Sequence, residues 1–236
     1  MKKIIVERDF WEIFPEARIG VLVARGLDNR LRDGEIYEEI LKDAQKEALR
    51  YLEASEFTLN PVVRDWREAF KKFKTKKGAR ASIEALLKRV VKGNPIGTIN
   101  PLVDLYNGVS LTYGLPVGGE DIDCFQGDIR LTRARGDEVF VPLGESENSP
   151  PYEGEVVYKD EAGAICRCFN WREAERTMLT ESTVNALLII EILDFASLDT
   201  MNAALAALCE AVEDRLGAQT STAVLDRDHP AYTLLD

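Results

Sequence analysis

The run VNALLIIEIL, from Val184 to Leu193, constrains this chain most tightly. It is almost wholly apolar and holds one charge, Glu191. A continuous apolar run of this length suits a strand covered on both faces, so the chain should carry a central strand with other layers on each side. A helix from about Leu198 to Leu216 follows, with Leu198, Met201, Leu205, Leu208, Val212 and Leu216 inward and Gly217 as its stop. A carboxylate among Leu and Ile side chains must be paired, hydrogen-bonded or protonated. Glu191 is therefore either a functional group at a cleft or a strand-end acid, solvated or paired with an arginine.

The rest of the chain alternates less regularly. Lys3–Glu7 and the apolar Ile19–Ala24 read as strands, and Thr220–Leu225 as an edge strand. Three helices are expected between them. Asp33 precedes one with an apolar stripe of Tyr37, Leu41, Ala44, Ala48 and Leu52. Asn60-Pro61 opens one with an aromatic stripe of Trp66, Phe70 and Phe73, and Ser82 stands near the start of the third, which Gly93 and Pro95 end. From Leu115 onward strands are expected at Ile122–Phe125, Asp128–Arg133, Glu138–Val141, Glu155–Lys159 and Ala164–Phe169, the last two joined as a hairpin through Asp160–Gly163. The fold class is α+β: a β-sandwich-like core of mostly antiparallel strands covered by helices, with an α-rich N-terminal portion.

Between these regions lies NPIGTINPLVDLYNGVSLTYGLPVGGED. Asn100 is placed to cap a helix, Pro101 suits its first turn, and Gly114 with Pro116 stops it. Asn100, Asp104 and Asn107 are polar positions on an otherwise apolar helix. A buried Asp104 would need a donor, for which Arg172 or the backbone of the following glycines are candidates. Gly118-Gly119, read as a bend, would let backbone N–H groups approach a ligand; Glu120, Asp121 and Asp123 beside them are ligand groups or solvated acids. The segment CRCFNWREAERT adds Arg167, Asn170, Trp171, Arg172 and Thr177, which read as a pocket rim or as a packed Trp with paired arginines.

Composition removes several classes of function. No window approaches 18 uncharged apolar residues, and MKKIIVERDF lacks the apolar core of a secretion signal, so a cytoplasmic chain with no membrane partner is expected. The four cysteines form no disulfide pattern, and C-x-C without nearby histidines is a poor zinc signature. The lone His229 lies in a terminal D-R-D-H-P loop, which argues against triad chemistry. There is no Walker loop, dinucleotide fingerprint or nucleophile elbow, so no cofactor and no metal are expected. The net charge of −11 hides a segregation: residues 64–92 carry eleven basic residues against Asp65, Glu68 and Glu84. Lys71, Lys72, Lys74, Lys76, Lys77 and Arg80 are the candidate RNA-binding set on an acidic body.

The run N-P-L-V-D-L-Y-N followed by G-L-P resembles the editing module of the phenylalanyl-tRNA synthetase beta subunit, and the order of later pieces extends the likeness over about residues 78–216. In that module an N-V-L-L-E run carries a glutamate that contacts the amino acid being checked. Here T-V-N-A-L-L-I-I-E, from Thr183 through Asn185, is similar, with Glu191 two residues later. Where the module often has a histidine after G-x-P-x, this chain has Gly118. The resemblance implies a free-standing editing-like domain at 78–236 with an α-rich portion, 1–77, packed on it. It also implies tRNA or aminoacyl-tRNA as partner and ester hydrolysis of mischarged aminoacyl-tRNA as activity. The substrate residues it suggests are Asn100, Asp104, Asn107, Gly118, Gly119, Asp121, Arg172, Thr183, Asn185 and Glu191, and it assigns no catalytic group. A non-catalytic RNA-binding protein and an amino-acid-binding small-molecule hydrolase stay open beside it.

Overall fold

The computed structural model describes residues 2–235. In chain order the strands are β1 (Lys2–Val6), β2 (Arg18–Arg25), β3 (Val117–Asp121), β4 (Ile129–Arg133), β5 (Val156–Asp160), β6 (Gly163–Arg167), β7 (Arg172–Glu173), β8 (Asn185–Ile192), β9 (Gln219–Leu225) and β10 (Ala231–Leu235). The helices are α1 (Arg8–Ile13), α2 (Gly34–Glu47), α3 (Pro61–Ala69), α4 (Ser82–Val91), α5 (Pro101–Tyr113) and α6 (Leu198–Leu216).

The apolar run becomes β8, an inner strand as its composition requires. It lies between β3 and β2 in a four-stranded sheet ordered β3-β8-β2-β9. Its two faces feed two cores. Leu187 and Ile189, with Ile19, Val21 and Val23 of β2, meet Ile129, Leu131, Val156, Tyr158 and Ile165 of a six-stranded sheet ordered β10-β1-β4-β5-β6-β7. Leu188 and Ile190, with Leu22 of β2, meet Leu102 and Leu105 of α5 and Met201, Leu205 and Leu208 of α6. The layers run helices, sheet, sheet. Every pairing is antiparallel except β1 with β4. This is an α+β fold, and each fully buried Leu or Ile in it contributes about 1.5–3 kcal/mol.

Local signals behave as chemistry dictates at α5. Asn100 accepts from Val103 N at 3.1 Å, and Gly114 ends the helix at φ 67°, a left-handed conformation that costs glycine little. Asp33 and Asn60 also precede helices, but neither side chain caps. Asn60 instead accepts from Ala54 N at 2.9 Å, tying down the preceding loop.

Two expected strands need correction. The strand expected at Ile122–Phe125 is a 3-10 turn, closed by Asp121 accepting from Asp123 N, and the strand lies earlier at Val117–Asp121. Glu138–Val141 forms no strand; only Pro142 makes a bridge, to Ala174. Three elements were not anticipated: α1, whose Phe10 and Trp11 are buried, the short β7, which pairs with β6, and β10, which pairs with β1. The first 77 residues contribute to both sheets, since β1 lies between β10 and β4 and β2 between β8 and β9. By length and composition the segment Phe195–Leu216 is apolar enough to cross a membrane. Here the stripe Met201, Leu205, Leu208 and Val212 is buried in the helix-side core.

Candidate functional site

The site grows from the edge of β3. Glu191 N donates to Pro116 O at 3.3 Å, which makes Pro116/Glu191 a hydrogen-bonded pair of the antiparallel ladder. Alternation then makes Gly118/Ile189 and Glu120/Leu187 bonded pairs and turns the backbone groups of Val117 and Gly119 away from β8. Val117 O is taken by the Ser82 hydroxyl at 3.3 Å. Gly119 directs its N–H and C=O into a cleft of about 380 Å³ bounded by α4, α5, β3 and the segment around β7.

Gly118 and Gly119 are therefore strand residues rather than a bend, and close packing explains both. A Cβ on Gly118 would lie 2.6 Å from Asn170 Cγ, and one on Gly119 would lie 2.5 Å from Leu188 Cδ2 and 2.9 Å from Leu179 Cδ1. Asn170 is held there by a tight turn in which Cys168 and Phe169 have φ of 49° and 59°. Such conformations persist only when the surroundings enforce them. Phe169 is fully enclosed by Phe10, Phe14, Trp66, Phe70 and Phe73, so the aromatic stripe of α3 and its extension anchor the turn.

The polar lining combines Asn107, Gly118 and Gly119 with Glu120, Cys166, Asn170, Glu173 and, toward the rim, Arg89. Glu120 is buried, and its Oε1 accepts from the Cys166 thiol at 2.9 Å while Oε2 has no hydrogen-bond partner. Burial, then the nearby Glu173 carboxylate, push Glu120 well above the ordinary carboxylate range; Thr177 and Arg176 pull the other way. Burial raises Glu173 to about 7. Burial and Glu120 keep the Cys166 thiol protonated far above its usual range, so it is not a thiolate nucleophile at neutral pH.

Glu191 faces the same space between the two sheets as Glu120, farther along β8, and lines a different cleft. Tyr158 donates to its Oε1 at 2.8 Å, and burial lifts its carboxyl to about 8, offset in part by Tyr158 and Asn170. Asn170 thus stands between Glu191 and Gly118.

Other expected site residues lie elsewhere. Asn100 is spent on its cap and on bonds with Asn29 (3.0 Å) and Leu179 O (3.2 Å). Asp104 is fully buried, accepts from Ile99 N at 2.9 Å rather than from Arg172 or the glycines, and is raised by burial to about 6. Thr183 donates to Asp121 at 2.8 Å, and Asn185 donates to Asp123 at 2.9 Å, both at the far end of β3. Arg172 pairs with Glu145 at 2.8 Å beside the Trp171 ring. Arg167, its companion in the sequence segment, is a core ion pair with Glu155 at 2.7 Å.

Sequence reasoning missed Glu173 and underrated Glu120. Charged residues in a polar run read as solvated, and only the pairing of strands shows that they share a wall.

The candidate RNA-binding residues lie at and after the end of α3. Lys72 sits over Phe14 and Lys74 over Tyr152; Lys76 donates to Ser149 at 2.8 Å, Lys71 pairs with Glu68 at 2.5 Å, and Arg80 donates to Gly78 O at 3.1 Å. Lys77 is exposed.

Comparison with known proteins bears on this geometry. No curated protein matches the chain. Among solved structures, the chain is similar to an N-terminal fragment of the phenylalanyl-tRNA synthetase beta subunit from Pyrococcus horikoshii. The two share 14% identity at a TM-score of 0.51, over 92% of this chain and 49% of that one. The likeness is one of fold, and this chain spans about half the length of that fragment. A family model described as the B3/4 domain matches residues 65–212, a span that takes in α4, α5, β3, β8 and the cleft between them. With more than half of its length inside that match, the chain belongs to the B3/4 domain family.

Proposed function

We propose that this chain binds tRNA and hydrolyses the ester that joins a wrongly attached amino acid to it. The observation that carries this reading is the cleft itself. It is lined both by Gly119, whose backbone N–H points away from β8, and by Glu173, whose carboxyl is held near neutrality. Aminoacyl esters are reactive, so a positioned water and an oxyanion donor are sufficient machinery. Glu173 takes a proton from water as the water oxygen adds to the carbonyl carbon. Gly119 N–H steadies the developing oxyanion. The ester C–O bond then breaks, and the tRNA hydroxyl leaves with a proton returned by Glu173. A cleft of about 380 Å³ fits an aminoacyl group better than a nucleotide. Arg89 at its rim and the basic segment 64–92 supply cations for the phosphates that follow.

The family membership and the fold likeness to a phenylalanyl-tRNA synthetase beta fragment support tRNA as the partner. The test is a panel of mischarged tRNAs incubated with the wild-type chain and with Glu173→Gln. Deacylation of at least one species, lost in the variant, is the expected result. Binding of tRNA with no turnover on any species would leave a non-catalytic tRNA-binding protein.

A further inference from the structure

We infer that the inner end of this cleft is a receptor for a free primary ammonium group carried on an apolar body. This deepens the proposed function, because it restricts the substrate to aminoacyl esters whose α-amino group is unmodified.

The acids of the cleft are incompletely partnered. Glu120 is buried with Oε2 unpartnered and lines the cleft, and Glu173 lines the same wall with no described side chain bonded to it. A carboxyl removed from water, Glu120, with a second, partly buried one beside it invites a donor-bearing cation. The adjacent one, Arg176, is already held by Asp160 at 2.5 and 3.0 Å. No group of three or more His, Cys, Asp or Glu side chains among the described residues is arranged to hold a metal ion. The cation that fits therefore brings hydrogens to donate.

An ammonium group has three N–H donors. The wall offers three kinds of acceptor: Glu120 Oε2, the Glu173 carboxylate and the Gly119 carbonyl, which alternation turns away from β8. The apolar part of the lining includes Leu86, Val103, Tyr106, Leu143, Met178 and Leu179, suited to an apolar side chain. The groups facing Glu120 and Glu173 are Cys166 from β6, Tyr106 from α5, and Arg176 and Thr177 after β7. All but Arg176 are uncharged near neutrality. Burial keeps protons on the empty acid pair, so an arriving ammonium displaces one, and affinity should rise with pH through the neutral range.

The experiment titrates the full chain calorimetrically with L-leucinamide and N-acetyl-L-leucinamide. It is repeated with 3-methylbutylamine, which stays charged, from about pH 6 to about pH 8. The expected result is that the free amine binds about tenfold or more tightly than its acetylated counterpart. Affinity for 3-methylbutylamine should rise with pH, with proton release into the buffer. Glu120→Gln and Glu173→Gln should each abolish the discrimination, and Glu173, only partly buried, provides a variant that folds if Glu120→Gln does not. Equal binding of the two leucinamides, no binding of either, or discrimination that survives both substitutions would overturn the inference. Amine binding without deacylation would sink the hydrolase and keep the receptor. Equal cleavage of N-acetylated and free aminoacyl-tRNA would do the reverse.

Discussion

The Tyr158 hydroxyl donates to Glu191 Oε1 at 2.8 Å across the space between the two sheets. Both side chains are buried, Glu191 Oε2 has no partner, and burial lifts the carboxyl from 4.5 to about 8. Below 4.5 the group is protonated folded or unfolded and contributes nothing to the pH dependence. Above it the unfolded chain ionises while the folded chain keeps its proton, so stability falls until about pH 8 and then levels. Each such group can contribute a slope of at most about 1.4 kcal/mol per pH unit. Glu191→Gln should make the fall in stability from about pH 5 to about pH 8 shallower, as read from urea unfolding. Glu120 and Glu173 shift in the same direction and leave a residual slope. A variant with the wild-type slope would mean that Glu191 is ionised in the fold.

Gly119 meets the opposite constraint, one of space. Its missing Cβ is replaced by Leu188 and Leu179, so Gly119→Ala should cost about 1–3 kcal/mol through overpacking. Leu188→Val, which removes the nearer contact, should recover part of that loss in the double variant. Additive unfolding free energies for the two substitutions would show that this contact is not the cause.

Arg167 grips Glu155 with two bonds, Nε to Oε1 at 2.8 Å and Nη2 to Oε2 at 2.7 Å, inside the core. Arg167→Met leaves Glu155 buried without its partner and should cost about 3–5 kcal/mol. Replacing both residues by apolar ones should cost less than the single change. Thermal unfolding of the two variants checks the order, and a double variant less stable than the single one would contradict it.

The features legible in the sequence were those that obey local rules. The α5 cap and stop, the 19-residue α6 ending at Gly217 and the inner strand β8 follow from spacing and composition alone. The two glycines were legible as important but for another reason: nothing local shows that Asn170 and Leu188, far along the chain, occupy the place of their side chains. Glu173 was invisible for the same reason, since its wall exists only once β7 pairs with β6 and closes over β3. Asp104 shows the converse case. A lone acid on an apolar helix suggested a site, but its Oδ1 accepts from its own neighbour, Ile99 N, and its buried Oδ2 has no partner.

The basic segment should govern affinity for RNA. Lys71 is tied to Glu68, Lys72 to Phe14 and Lys76 to Ser149, while Lys77 is exposed. Surface interactions of this kind are worth about 0–1 kcal/mol, so these lysines can leave them for a phosphate at little cost. Neutralising Lys71, Lys72, Lys76 and Lys77 together should weaken RNA binding in proportion to the number of phosphates they hold. The slope of log affinity against log salt should flatten by about 0.7–0.9 for each phosphate no longer neutralised. Filter binding of a bulk tRNA pool across a salt series measures both quantities. An unchanged slope would move the docking surface away from α3 and its following loop, to the remaining cations near the cleft, of which Arg89 is the first to replace.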